Sequence, residues 1–254
     1  MHISAKPYLD ELNYAVIIPA RYKSSRFPGK PLADICGRPM IQYVWQLCCT
    51  AVGADKVYVA TDDNTIAEAV TRFGGQILLT SDACLTGTDR LAEANKQLNC
   101  DFIINVQGDE PLINPDDILT IINEYLRHPD RVINAMCKIK SQEEFESLNV
   151  PKVVCDKNLS LLYMSRAGVP LAKNGQFHFA YKQVCIYAFS RQHLELFHAM
   201  PEKTPLEQVE DIEILRFLEE GIAINMVEVE EGSLAVDIPS DIDKIVHKLC
   251  ANNR

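Results

Sequence analysis

A chain of 254 residues, 47% hydrophobic and 24% charged, fits a globular protein with a sizeable core, built as one large domain or two small ones. Its net charge of −10 sets the molecule as a whole against nucleic acid and anionic membrane surfaces, so an anionic ligand has to be held by a local cluster of cations. Nine cysteines, with no C-x-x-C pair and several in apolar runs such as QVCIYAF, read as buried reduced thiols rather than a disulfide framework or a zinc site. The first thirteen residues lack the pattern of a signal peptide, and no apolar run approaches the roughly 20 residues of a membrane span. A cytoplasmic protein with neither a nucleic-acid nor a membrane partner is expected.

Taken in order, short β-branched runs alternate with helical patterns. YAVIIPA (14–20) predicts a buried strand, and MIQYVWQLCCTAV (40–52) a helix with Ile41, Val44, Trp45, Cys48 and Val52 on one face. KVYVAT (56–61) predicts a strand, TIAEAVTRF (65–73) a helix ended at Gly74-Gly75, and QILLT (76–80) and DFIINVQ (101–107) two further strands. At NPDDILTIINEYL three start signals agree: Asn114 to cap, Pro115 in the first turn, and Asp116 and Asp117 at the positive end of the helix dipole. The second half supplies strands in RVINAMCKI, PKVVCD, LSLLYMS and QVCIYAFS. One helix is then predicted over 204–221, with Thr204 and Glu207 as a capping box, followed by the strand AINMVEV and a terminal helix from about Pro239. The β-α-β-α order with continuous apolar strands implies a mostly parallel sheet covered on both faces. We expect an extension over residues 1–13 and one α/β domain over 14–250, with a strand-rich insert at about 130–200.

Ligands of open parallel sheets bind beyond the carboxyl ends of the strands, which is where VIIPARYKSSRFPGKPL leads after the first strand. The dinucleotide fingerprint fails there, because Gly29 is its only glycine, and so does the P-loop, because Gly29-Lys30 is followed by Pro31. What remains is either a solvated basic loop or a polyphosphate clasp in which arginine grips two oxygens and Lys30 supplies a mobile point charge. NVQGDEP (105–111) places Asp109 and Glu110 just after a strand, where a turn or helix cap is the ordinary role and a magnesium ligand the chemical one. VDIP (236–239) offers Asp237 in a similar setting. No Ser-His-Asp or Cys-His arrangement suggests a covalent intermediate. His193 and His198 read as packing or surface residues.

The segments IIPARYKSSRFPGKPL, GRPMIQYVW, VYVATDD, GTDRLAEA and NVQGDEPLI, in this order, resemble the 3-deoxy-manno-octulosonate (Kdo) cytidylyltransferases. The resemblance continues through KVVCDKNLSLLYMSRAGVP to AVDIPSDID, covering about residues 14–248. It implies a single Rossmann-like domain of the nucleotide-diphospho-sugar transferase fold, a homodimer formed through the strand-rich region, and transfer of CMP from CTP to the anomeric hydroxyl of Kdo. By the same resemblance, Asp109 and Asp237 hold Mg²⁺, and Lys30 and Arg21 contact the phosphates. Thr88 and Arg90 lie near the cytosine. Gln107, Arg166, Gln183, Tyr187 and Glu213 fall on the acceptor side, with Arg166 pairing with the sugar carboxylate. Asp62 and Asp63 read as turn residues.

Three positions depart from the family's pattern. Gln183 replaces a histidine facing the sugar, Ile214 stands where a sugar-contacting glutamine is expected, and Ile238 replaces a threonine beside the metal aspartate. These changes leave the CTP half intact and point to a retuned acceptor half, with another 2-keto sugar acid, 8-amino Kdo or a small phosphonate as alternatives. A non-catalytic nucleotide sensor is the reading of another class, and the retained Lys30, Asp109 and Asp237 argue against it.

Overall fold

The computed structural model describes residues 6–24, 26–230 and 234–252, so residues 1–5 of the expected extension lie outside it. In chain order the elements are α1 (Lys6–Leu9), β1 (Tyr14–Ala20), β2 (Asp34–Ile35), β3 (Arg38–Pro39), α2 (Met40–Val52), β4 (Val57–Thr61), α3 (Asn64–Arg72), β5 (Gln76–Leu79), α4 (Gly87–Leu98), β6 (Phe102–Val106) and α5 (Pro115–Arg127). They continue with β7 (Val132–Lys138), α6 (Gln142–Glu146), β8 (Lys152–Cys155), β9 (Leu161–Ser165), β10 (Tyr181–Ser190), α7 (Arg191–Ala199), α8 (Pro205–Glu210), α9 (Ile214–Glu219), β11 (Ile224–Glu228) and α10 (Asp241–Asn252).

The main sheet runs in the order β11-β7-β10-β6-β1-β4-β5. β1 pairs in parallel with β4 and β6, β4 with β5, and β7 with β11, while β10 runs antiparallel between β6 and β7. All seven residues of β1 are buried, as a central strand covered on both faces requires. Its side chains alternate between two cores: Val16 and Ile18 pack with Val44 and Cys48 of α2 and Ile118 and Ile121 of α5. Ala15 and Ile17 face Leu91 of α4, Leu194 of α7 and Phe217 of α9. Leu9 and Leu12 of the N-terminal stretch also join the first core.

The start signal at Asn114 acts locally as predicted, accepting from the Asp116 N–H at 3.1 Å to open α5, whereas Asp63, read as a turn residue, accepts from Ile66 N at 3.0 Å and caps α3. His193 is buried, with its Nδ1 accepting from Ser190 N at 3.3 Å in the first turn of α7.

The expected single helix over 204–221 is instead two, α8 and α9. Asp211 adopts φ 51°, ψ 49° and ends α8. The break has a tertiary cause: Arg166 Nε donates to the Glu210 carbonyl and Nη2 to the Asp211 carbonyl at 2.9 Å, while Lys203 pairs with the Asp211 carboxylate at 2.6 Å. Past the break, Glu213 faces the N-terminus of α4 rather than continuing along α8.

Candidate active site

An open cleft lies beyond the carboxyl ends of β1 and β6. Arg21, Lys30, Arg90, Gln107, Asp109 and Glu213 line it, joining six of the sequence-predicted residues from four separate stretches of chain. Two glycines shape this wall. Gly29 takes φ 72° and donates to the Tyr22 carbonyl at 2.8 Å, closing the loop so that Lys30 begins a helical turn pointing inward. A Cβ on Gly108 would lie 3.0 Å from Ile41 Cδ1 and 3.2 Å from the Pro19 carbonyl, so the strand-end turn can seat only against β1 and α2 without one.

Lys30 Nζ lies 2.6 Å from Asp109 Oδ2 and donates to the Val236 carbonyl at 2.9 Å. Val236 N–H in turn donates to the Asp109 carbonyl at 2.9 Å, so Asp237 follows directly on a segment tied to Asp109. Its carboxylate is met by Arg26 Nη2 at 2.9 Å. The segment is anchored from behind: the Asp241 carboxylate accepts from the N–H groups of Asp237 and Ile238 at 3.0 and 3.1 Å, and Val236 packs with Ile35, Met40 and Ile245. Two part-exposed carboxylates on neighbouring backbone make a hard-oxygen donor pair suited to Mg²⁺, whose remaining ligands are ordinarily phosphate oxygens and water. Among the described residues no group of three or more His, Cys, Asp or Glu side chains could cage an ion unaided.

The opposite wall is the N-terminus of α4. Thr86 caps it, with Asp89 completing a reciprocal capping box, and Glu213 reaches across to accept from Gly87 N at 3.1 Å, Thr88 N at 2.9 Å and Thr88 Oγ1 at 2.6 Å. Thr88 is therefore buried beneath the wall with its hydroxyl engaged. Arg90 donates to Thr80 Oγ1 and pairs with Asp62 at 3.1 Å. Asp62 is thus the counter-ion of a cleft arginine and not only a turn residue, whereas Asp63 is the cap of α3.

Other acceptor-side expectations land elsewhere. Arg166 lies outside the cleft lining, with guanidinium donors on the carbonyls of Leu148, Glu210 and Asp211. Gln183 donates to Asn134 Oδ1 at 3.1 Å, and the buried Asn134 holds the β10 bulge through the carbonyls of Val184 and Ile186. Ile214 sits in the second core rather than on the acceptor face, so this departure is a packing choice. Ile238 is exposed.

Beneath the floor lies Glu110, which the sequence reading weighed beside Asp109 but gave no role of its own. Glu110 is buried, its Oε1 accepting from Cys185 N at 3.2 Å while Oε2 has no partner among the described residues. Burial pushes its carboxyl up to about 7, assisted by the adjacent Asp109 charge and opposed by its bonds to Cys185. Burial likewise pushes the Cys185 thiol and the Tyr187 hydroxyl, which are hydrogen-bonded to each other, well above their usual ranges. The only sequence signal for Glu110 was its place after Asp109 at the end of an apolar strand. Arg26 had none beyond membership of the basic loop.

A cationic loop at the end of the first parallel strand, facing two carboxylates on joined segments, is the arrangement of an α/β nucleotidyltransferase. Residues 15–226 match the model of the family described as Cytidylyltransferase. The chain is 43% identical over 251 residues to 3-deoxy-manno-octulosonate cytidylyltransferase of Geobacter metallireducens, covering 94% of this chain and 98% of the relative. It is 41% identical over 246 residues to 8-amino-3,8-dideoxy-manno-octulosonate cytidylyltransferase of Shewanella baltica, covering 95% of this chain and 100% of the relative. A solved structure of CMP:2-keto-3-deoxy-manno-octonic acid synthetase complexed with CTP is similar at TM-score 0.87 and 38% identity, covering 94% of this chain and 99% of that one. The chain belongs to the cytidylyltransferase family.

Proposed function

We propose that this enzyme transfers CMP from CTP to the anomeric hydroxyl of 3-deoxy-manno-octulosonate and releases pyrophosphate. The observation that carries the reading is the convergence of Lys30 on Asp109 and on the Val236 carbonyl beside Asp237, at the mouth of a cleft walled by the α4 N-terminus. In the reaction the sugar oxygen attacks the α-phosphorus, the new O–P bond forms as the α–β bridging bond breaks, and the hydroxyl proton passes to solvent. Lys30 and Arg21 line this cleft and would stabilise the charge that accumulates on the leaving group. Asp109 and Asp237 would hold Mg²⁺, which supplies charge neutralisation at the phosphates and a lowered pKa for the attacking hydroxyl. Gln107 and Glu213 face the same cleft and would orient the acceptor.

A second acceptor, the 8-amino sugar acid, is supported by the likeness to the Shewanella baltica relative. The two named relatives are also nearly equidistant, at 43% and 41% identity. For assembly, we read a homodimer formed through the strand-rich region. β9 pairs only with β8 among the named strands of the sheet, Leu162 on it is 58% exposed, and Val209 of α8 is 83% exposed. No helix of the described residues is long and apolar enough to cross a membrane, and we take the cytoplasm, where CTP is made, as the place of action.

The test is pyrophosphate release from CTP and Mg²⁺ over a panel of Kdo, 8-amino Kdo and other sugar acids. Turnover with Kdo, lost in Asp109→Asn, is expected. Turnover with the amino sugar alone transfers the assignment to the second acceptor, and release with neither sinks both.

A further inference from the structure

Both carboxylates expected to bind the divalent ion are already occupied by cations of the phosphate loop. Lys30 is 2.6 Å from Asp109, and Arg26 is 2.9 Å from Asp237. The Arg26 contact is more than a stray surface pairing, because the guanidinium is held from two sides. Nη2 meets Asp237 while Nη1 donates to Asn149 Oδ1 at 3.2 Å, bridging the loop to two distant segments. In sum the four charged groups are neutral, so a lone divalent ion approaching them meets no net attraction and must displace a fixed positive charge.

A triphosphate changes that balance. It offers the loop cations a more highly charged partner with several acceptor oxygens, to which arginine binds in a fork. The Arg26 side chain is 55% exposed and lines the same cleft as Lys30, so it can leave Asp237 without unpacking any core. We propose that Arg26 is a positioning residue that keeps the Asp237 carboxylate occupied until a triphosphate arrives, coupling divalent-ion binding at this site to nucleotide binding. Ion and nucleotide would then bind cooperatively, with Arg26 and Lys30 exchanging carboxylate for phosphate and the freed carboxylates facing the ion. This inference rests on the magnesium reading of Asp109 and Asp237.

The experiment measures Mn²⁺ binding to the full chain without nucleotide, by electron paramagnetic resonance, together with CTP affinity in Mg²⁺. Arg26→Gln is expected to bind Mn²⁺ alone roughly three- to tenfold tighter, the range that loss of one part-screened ion pair and its charge allows. The same variant should bind CTP weaker by a similar factor, with Arg26→Lys near the parent in both. The paired double variant Arg26→Gln/Asp237→Asn should lose the gain in Mn²⁺ affinity. A residue that merely supports the loop would not tighten metal binding when neutralised, and one that repels the ion only from a distance would still do so in the Asp237→Asn background. Unchanged or weaker Mn²⁺ binding by Arg26→Gln therefore overturns the counter-ion role while leaving CMP transfer, judged by pyrophosphate release, untouched. A gain that survives Asp237→Asn overturns it as well, by placing the ion elsewhere. Failure of parent and variant alike to bind Mn²⁺ even with CTP overturns the metal reading beneath it.

Discussion

Two arginine–carboxylate pairs in this molecule are made of the same chemistry and do opposite things. On the late helices, Arg216 and Glu207 are both fully buried, bonded in a fork at 2.6 and 2.8 Å, with the guanidinium stacked 3.7 Å from the Phe197 ring centroid and its Nη1 3.8 Å from Asp89. At the cleft rim, Arg26 meets Asp237 through one nitrogen, with side chains 55% and 24% exposed. Water can replace neither partner of the first pair, so separating them strands a buried charge. It readily replaces those of the second, which makes that pair exchangeable. Burial and geometry, not residue type, decide whether an ion pair is scaffold or switch.

The largest expected effect breaks the scaffold pair. Arg216→Met should destabilise the fold by about 3–5 kcal/mol, because Glu207 is left charged and buried. The double change Arg216→Met/Glu207→Met should recover a large part of that loss, since the stranded charge is gone. Urea unfolding of the three variants measures this. If Arg216→Met costs no more than an exposed pair, the pair is not a scaffold.

Neither pair was legible in the sequence. Arg216 and Glu207 fell within what read as one helix, and periodicity gives no reason for that helix to break at Asp211. The break depends on Arg166, which meets residues 44 and 45 positions away in sequence. By contrast the buried strands were legible, because a strand covered on both faces must be apolar along its length, as β1 is. That β10 enters antiparallel between β6 and β7 was not, because apolar runs carry no direction. At the site, the loop, Asp109 and Asp237 were marked by place, after strand-like runs, and the resemblance supplied the expectation that the two aspartates converge. Thr88, Arg166 and Ile214 were assigned by matching positions, yet a side chain can keep its position while its hydrogen bonds or packing turn it from the cleft.

Lys30 provides the complementary dissociation at the rim. Lys30→Met should lower kcat by about 10²–10³-fold, the scale of losing one preorganised charge at a developing anion. Its stability loss should be only about 1 kcal/mol, since Asp109 is part-exposed and can rehydrate. Pyrophosphate release and urea unfolding on the same preparation separate the two effects. A variant that loses stability as severely as Arg216→Met would erase the distinction between rim and scaffold.

A third carboxylate sharpens the comparison, because its electrostatic neighbours are negative. Asp117, in the first turn of α5, is buried beside Asp116 and Glu230, and desolvation foremost, with those charges, pushes its pKa up to about 6 from 3.8. The helix N-terminus, which ordinarily favours an anion, does not offset this. A raised folded-state pKa means the native protein binds more protons than the unfolded chain between these two values. Stability from this group therefore falls as pH rises through about 4 to 6, and the full penalty is present above that window. Asp117→Asn keeps the shape and removes the charge. It should raise stability by about 1–2 kcal/mol at pH 8 and change it little at pH 4, because there the native aspartate is already neutral. Unfolding free energies of parent and variant across this range test the sign directly, and a gain that grows toward acid pH would mean that Asp117 has a cation or donor partner after all.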